Sequence, residues 1–394
     1  MRLRQTADEL IPELAQYQHR LLIAGAAGAV LSVAGWFLNP AQFFQSYLTA
    51  YLLVLGATLG CLALGMVHQL SGGAWGVVTH SLIGAGARVL PVLTVLFLPV
   101  LAGMSHLYEW THADIVNADP VLRGKAVYLN TPFFVARAAL YFATWNLISY
   151  WLNRWSLEHG RTGDPRPARH MQALSGGGLV AYGLTVTFAS FDWLMSLDPH
   201  WVSAIYGIMT IGGQGLTAIA VLIVSLRWLS RRPPLDTIVV PSHFHDLGNL
   251  LLAFVMLWAY FAFSQYLIIY SGNLPEEITW YTRRLQTSWH VVGQLLILVH
   301  FAVPFALLLS RPLKRHGRVL AAIASGIIVV RAIDLIWLVA PQFHQAQLSI
   351  SWLDVVLPLT LAAIWTGGFL RELRGRAIVP VSEPLIGDAV GSMV

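Results

Sequence analysis

The chain has 394 residues, of which 56% are hydrophobic and only 11% charged. Soluble domains carry roughly a quarter charged residues, so this composition fits lipid as the solvent. The net charge of +5 is almost all arginine, with Lys125 and Lys314 the only lysines. These charges fall between apolar runs, which points to membrane topology and away from nucleic acid.

The only cysteine, Cys61, lies within an apolar run. That excludes an intrachain disulfide, thiolate-held iron–sulfur clusters and a C-x-x-C-H haem attachment. The chain opens with MRLRQTADELIPELAQYQHR, which has three acids and no early apolar core, unlike a signal peptide. Residues 1–19 therefore read as a cytoplasmic segment. Leu3, Leu10, Ile11 and Leu14 suit an interfacial helix, and a plain polar lead-in is the alternative.

Apolar windows predict ten spans near 20–39, 46–68, 87–107, 132–153, 176–197, 200–228, 247–271, 288–310, 317–341 and 348–370. Each is long enough to cross a hydrocarbon layer of ~30 Å as a helix. In lipid the backbone must satisfy its own hydrogen bonds, so the expected fold is an all-α polytopic membrane protein. The ten-helix domain covers 20–370, and 371–394 forms a C-terminal tail. Eighteen of the 24 basic residues fall on the side that holds both termini, and Arg123, Lys125, Arg283 and Arg284 on the other. Arg137 and Arg331 lie inside spans. By the positive-inside bias both termini are cytoplasmic.

The outer connections 107–131 and 272–287 are long. The second, GNLPEEITWYTRRLQT, mixes acids, arginines and aromatics, and reads as a protein contact or as a solvated cap with interfacial aromatics. Small residues such as Gly56 and Gly60 suit close helix packing. The glycine runs SGGG (175–178) and GGQG (212–215) follow no strand, so they are packing glycines and not a phosphate cradle.

Charge inside a membrane is costly, so its placement carries the functional signal. Arg137, Asp192, His290, Arg331, Asp334 and Asp354 all fall in the outer half by this topology. Arg331 and Asp334 are three residues apart and share a helical face, and Asp354 lies at similar depth on the next span. A cluster of these three suggests proton or quinone-headgroup chemistry. A fixed ion pair that sets helix register is the alternative.

His300 is the one histidine near the middle of the layer, either a core residue or a proton carrier. No second histidine lies at matching depth, so no b-type haem is expected. In WAYFAFSQYLIIY, Tyr260 with Ser264 and Tyr266 with Tyr270 have helical spacing, suited to a quinone cleft or to aromatic packing. In SFDWLMSLDPHW (190–201), Asp198 followed by Pro199 reads as a helix N-cap with proline at the first helical position. Asp192 is unexplained by such local rules and requires a partner or a neutral form.

SFDWLMSLDPHW, HQLSGGAWG (68–76), KAVYLNTPFFVARAALYF (125–142) and FHDLGNLLLAFVMLWAYFAFSQYLIIYSGNLPEEITWY (244–281) together resemble the second large membrane subunit of the bacterial alternative complex III. That family is related to the quinol-interacting membrane anchors of polysulfide and nitrite reductase systems. The likeness covers roughly residues 50–300. It implies two four-helix bundles, near 46–197 and 200–341, plus two peripheral helices.

It also implies a quinol:electron-acceptor oxidoreductase complex in the bacterial cytoplasmic membrane. The partners would be a homologous quinol-oxidising membrane subunit, an iron–sulfur subunit, multihaem and monohaem cytochrome c subunits, and small membrane subunits. Haem c and iron–sulfur clusters would sit on those partners. This chain would hold lipids and a quinone, either menaquinone or ubiquinone, with no covalent cofactor. In that setting Asp192, His300, Arg331, Asp334 and Asp354 are proton-transfer candidates, and Asp192, Arg137, His290 and Tyr266 are headgroup candidates. Two other functions stand beside it: a purely architectural anchor and a secondary transporter. The latter would favour paired midplane breaks in corresponding helices, and the sequence has no such pair.

Overall fold

Every apolar run long enough to span lipid forms a helix, because a helix satisfies the backbone from within. The computed structural model describes residues 2–233 and 235–375, and no strand occurs among the described residues. The main helices are α1 (Arg2–Leu38), α2 (Pro40–Ser71), α3 (Ala74–Ala102, with breaks), α4 (Thr131–Thr162) and α5 (Pro165–Trp193). They continue with α6 (Tyr206–Leu229), α7 (Pro241–Gly272), α8 (Pro275–Leu285), α9 (His290–Leu309, with a π turn), α10 (Gly317–Phe343) and α11 (Leu353–Arg374).

Three helix starts share an Asx–Pro pattern. Asn39, Asn130 and Asp164 accept from the amides of Gln42, Phe133 and Arg166, and a proline stands in the first turn each time. Such a cap is worth about 1 kcal/mol, and proline at that position forfeits no helical bond. Only Asn39 separates α1 from α2, so those two form a tight hairpin.

Nine described helices are long and apolar enough to cross a membrane: α1–α3, α5–α7 and α9–α11. The tenth predicted span, α4, is equally long but more polar, through Arg137, Asn146 and Asn153. Its outward face is apolar, with Val135, Leu140 and Leu147 exposed, while Arg137 is buried. It packs along its antiparallel neighbour α5. A helix with its polar side inward and its apolar side outward, paired with a spanning helix, crosses the same layer.

The boundaries differ from expectation in informative ways. From Arg2 on, the predicted lead-in belongs to the single helix α1. There Leu14 is fully buried and Glu13 pairs with Arg232; the predicted roles of Leu3 and Leu10 lie outside the described side chains. The inner loop expected before residue 87 is helical from Ala74 onward. Of the predicted tail, 371–374 ends α11 and 376–394 lie outside the described residues.

Span α3 breaks at Val89 and Leu96–Phe97, beside Pro91 and Pro99, which lack the N–H a helix interior needs. The hydroxyls of Tyr51 and Tyr47 donate to the Leu93 and Leu96 carbonyls at 2.9 and 2.6 Å, so α2 repairs the broken ladder.

Helices α2–α5 form one bundle and α6, α7, α9 and α10 a second, joined where α2 meets α6. Small residues permit that approach. A Cβ on Gly60 would overlap the Gln214 carbonyl and the Ala218 side chain. Helices α1 and α11 pair with each other on the periphery, and Trp365 Nε1 donates to Thr58 Oγ1 at 2.7 Å to fasten them to α2. The arginine-rich face of this assembly is its inner side, and the opposite face its outer side.

Candidate functional site

Each bundle contains one buried arginine–aspartate pair, and the two are built differently. In the first, Arg137 of α4 meets Asp192 of α5 in a two-pronged contact, Nε to Oδ2 and Nη2 to Oδ1, both 2.8 Å. Tyr141, one turn along α4, donates to Oδ2 at 2.8 Å. The remaining guanidinium edge donates to the Tyr128 carbonyl at 2.9 Å, and the Tyr128 ring lies 3.8 Å from its centre. Asp192 has no exposed surface. Planar arginine and planar carboxylate suit each other in this two-bond geometry, and neither retains a group for a visitor.

In the second bundle, Arg331 Nη1 donates to Asp334 Oδ2 one turn along α10, and Trp258 Nε1 of α7 donates to the same oxygen at 3.1 Å. Oδ1 of Asp334 has no hydrogen bond to a described residue. Against Trp258 lies His300, ring centroids 4.1 Å apart, with both imidazole nitrogens buried and unbonded among the described residues. Leaving a buried polar group unpaired costs about 1–3 kcal/mol. His300 sits in a π turn, Ile297–Ala302. Pro304 causes it, since it has no N–H to bond the His300 carbonyl, and such turns are frequent at functional sites. Gly213 of α6 makes room for Arg331, whose guanidinium would overlap any Cβ there.

This cluster borders a cavity of about 780 Å³ between the bundles. Arg331, Asp334, Trp258, Gln214, Gln265 and Thr210 are among its polar points, and most of the wall surface is apolar. Gln214 is fixed by the Tyr182 hydroxyl at 2.6 Å. On the α7–α9 side, the wall includes Tyr260, Phe263 and Ile297, all more than 60% exposed although they border the cavity. Helix α7 packs on the later part of α9 and little on His290–Leu296, so the gap widens toward the outer side. A mostly apolar chamber of 300–1,000 Å³ with a few convergent polar groups is the usual form of a small-molecule site. Its lateral mouth suits a ligand that arrives through lipid.

No protein-family model matches this chain, and no curated protein does. The functional meaning of the site therefore rests on its geometry.

The outer roof of the cavity is α8, which contributes Trp280, Tyr281 and Leu285. Arg284 pins it. Its guanidinium donates to the carbonyls of Trp337, Leu338 and Trp280 at 3.2, 2.9 and 3.1 Å and lies 3.5 Å from the Trp280 ring. Pro341 in α10 has no N–H for the Trp337 carbonyl, and Arg284 supplies one instead. Burial without a carboxylate partner pulls the Arg284 pKa below the usual arginine value.

The predicted residues divide between these sites. Arg331, Asp334, His290 and Tyr266 line the cavity, and His300 stands behind Trp258. Asp192 and Arg137 are not among the lining residues and bind each other.

Asp354 does not join Arg331 and Asp334. Its carboxylate takes Ser46 and Gln42 at 2.5 and 3.3 Å and reaches back to the Ser351 amide at 2.8 Å, as first-turn acids do at helix starts. Nor does Asp198 cap a helix. Helix α6 begins later, at Tyr206, and Asp198 accepts from Arg283 at 2.9 Å. His200 of the same turn meets Asp119 at 2.6 Å.

Trp258, Gln265 and Arg284 do not stand out in the sequence. Of these, only Trp258 has a usable signal: a tryptophan deep within a span, where its N–H needs a buried acceptor.

Proposed function

We propose that this chain is a membrane subunit of a quinol:electron-acceptor oxidoreductase, and that the cavity between its bundles admits the quinol. The observation that carries the reading is Asp334. It is a buried carboxylate with a free oxygen, held by Arg331 and Trp258 at the wall of an apolar chamber open to lipid.

A quinol ring needs an apolar slot, an acceptor for its hydroxyl and a donor for its oxygen. Asp334 and Arg331 offer the last two. Oxidation removes two protons and two electrons from the quinol. Asp334 is placed to take a proton, and His300, next to Trp258, is the neighbouring titratable group. The chain has no thiolate set for an iron–sulfur cluster, so in this reading the electrons pass to haem c and iron–sulfur subunits on the outer side. The long outer segments, including α8 above the cavity, are where such subunits would sit.

The transporter alternative has less support. The interrupted spans are the second of the first bundle and the third of the other, and so do not correspond. The architectural reading suits the first bundle, whose ion pair is sealed.

Mild detergent extraction tests the complex. Co-purification of haem c and iron–sulfur subunits is the expected result. Isolation of a lone chain with no redox partner would contradict it.

A further inference from the structure

A separate group of charges lies at the inner ends of α6 and α10. Arg227 is in the last turn of α6, Arg231 follows that helix, and Arg318 is in the first turn of α10. The charges acting on Arg227 are those of Arg231 and Arg318, all three of one sign. None of the three forms an ion pair among the described residues, whereas nearby Arg232 is held by Glu13 and Lys314 by Asn249.

Arg227 is the least exposed of the set. Its Nη1 reaches only Ser230 Oγ at 3.4 Å, and its buried Nε has no partner among the described residues. Its stem runs across the start of α10, where a Cβ on Gly317 would stand 3.0 Å from Arg227 Cδ. No side chain caps that helix start, and its first turn has no acid. The orphan amides and the helix dipole therefore add positive potential where the arginines already repel one another.

We infer that Arg227, Arg231 and Arg318, with the open N-terminus of α10, bind the phosphate of an anionic phospholipid at the inner membrane surface. Three guanidinium groups of like charge, none with a carboxylate partner among the described residues, favour a shared counter-anion, and guanidinium forks match phosphate oxygens. The position argues for lipid. The site lies where two spanning helices leave the apolar layer, and Val319, next to Arg318, is exposed there for acyl chains to cover. Basic pockets between helices at this level commonly hold anionic headgroups. This inference is independent of the quinol reading.

Native mass spectrometry of the full-length protein, with whatever subunits co-purify, tests it. The probes are dioleoylphosphatidylglycerol, dioleoylphosphatidylcholine and inorganic phosphate. Phosphatidylglycerol should be retained over phosphatidylcholine, with binding about fivefold weaker for each arginine removed in R227Q and R318Q. R161Q, an exposed arginine elsewhere on the inner side, should leave retention unchanged. Should R227Q fail to fold, R318Q decides, since that side chain is exposed. Undiminished retention in R318Q, an equal loss in R161Q, or full displacement by inorganic phosphate would overturn the lipid site.

Discussion

The two bundles use the same pair of residues for different purposes. In the first, Arg137 and Asp192 come from different helices, meet through two bonds and have every remaining edge occupied by Tyr141, Tyr128 or an aromatic face. In the second, Arg331 and Asp334 come from one helix, meet through a single bond and border a cavity. A buried ion pair offsets its desolvation cost only when its hydrogen bonds are complete. Completion makes the first pair a fastener between α4 and α5. Incompletion leaves the second with bonding capacity for something else. Residue type thus identifies neither role; the count of satisfied groups does.

Substitutions can break this contrast, beginning with the most damaging. Asp192→Asn strands the Arg137 charge in a sealed site, and should cost about 3–5 kcal/mol. A large fall in melting temperature, or failure to assemble, is the expected readout. Asp334→Asn should cost less stability, about 1–2 kcal/mol, because the pair has one bond to lose and the amide oxygen still accepts from Trp258. It should nevertheless weaken quinol-analogue binding by tenfold or more, measured by titration. Gly213→Ala sharpens the comparison further, since the new methyl displaces the Arg331 guanidinium and touches nothing in the first pair. Analogue binding should fall severalfold, with a melting temperature close to that of the parent.

The smallest effect concerns the outer surface. His200, followed by the amides of Val121 and Leu122, holds the Asp119 pKa below the ordinary carboxylate value. A carboxylate depressed in the folded state contributes stability above its unfolded pKa, near 4, and loses it as pH falls through the lower folded value. Melting temperature should therefore decline more steeply with acidification in the parent than in Asp119→Asn. Melting curves collected across the acid range check this.

The spans were legible because lipid leaves the backbone few choices, and a window of apolar residues is a direct measure of that constraint. The Arg331–Asp334 pair was legible for the same local reason, since three residues on a helix fix a shared face. The Arg137–Asp192 pair was not. Its members are 55 residues apart on separate helices, and depth alone does not identify partners. Tyr141, one turn from Arg137, was the available hint. Depth misled in the case of Asp354, where the pull of the Ser351 amide and of Ser46 at the helix start outweighed any attraction to Arg331. Asp198–Pro199 misled through a local rule, because Arg283 from another element claimed the carboxylate. The cavity was legible only in part: Tyr260 and Tyr266 have the spacing of a cleft and both line it, but its shape has no sequence signal. It arises from how α7 and α9 diverge, and the nearest sequence correlate is Pro304 with its π turn.

The central claim is that the cavity bordered by Arg331 and Asp334, and not the sealed Arg137–Asp192 site, receives a quinol-class ligand. Trp258, Trp280 and Trp337 all line the cavity, so quenching of tryptophan fluorescence by a short-chain quinone measures occupancy directly. The account predicts saturable quenching that shrinks in Trp258→Phe and shifts to higher concentration in Asp334→Asn. Quenching that rises linearly without saturation, or that is identical in both variants and the parent, would contradict it.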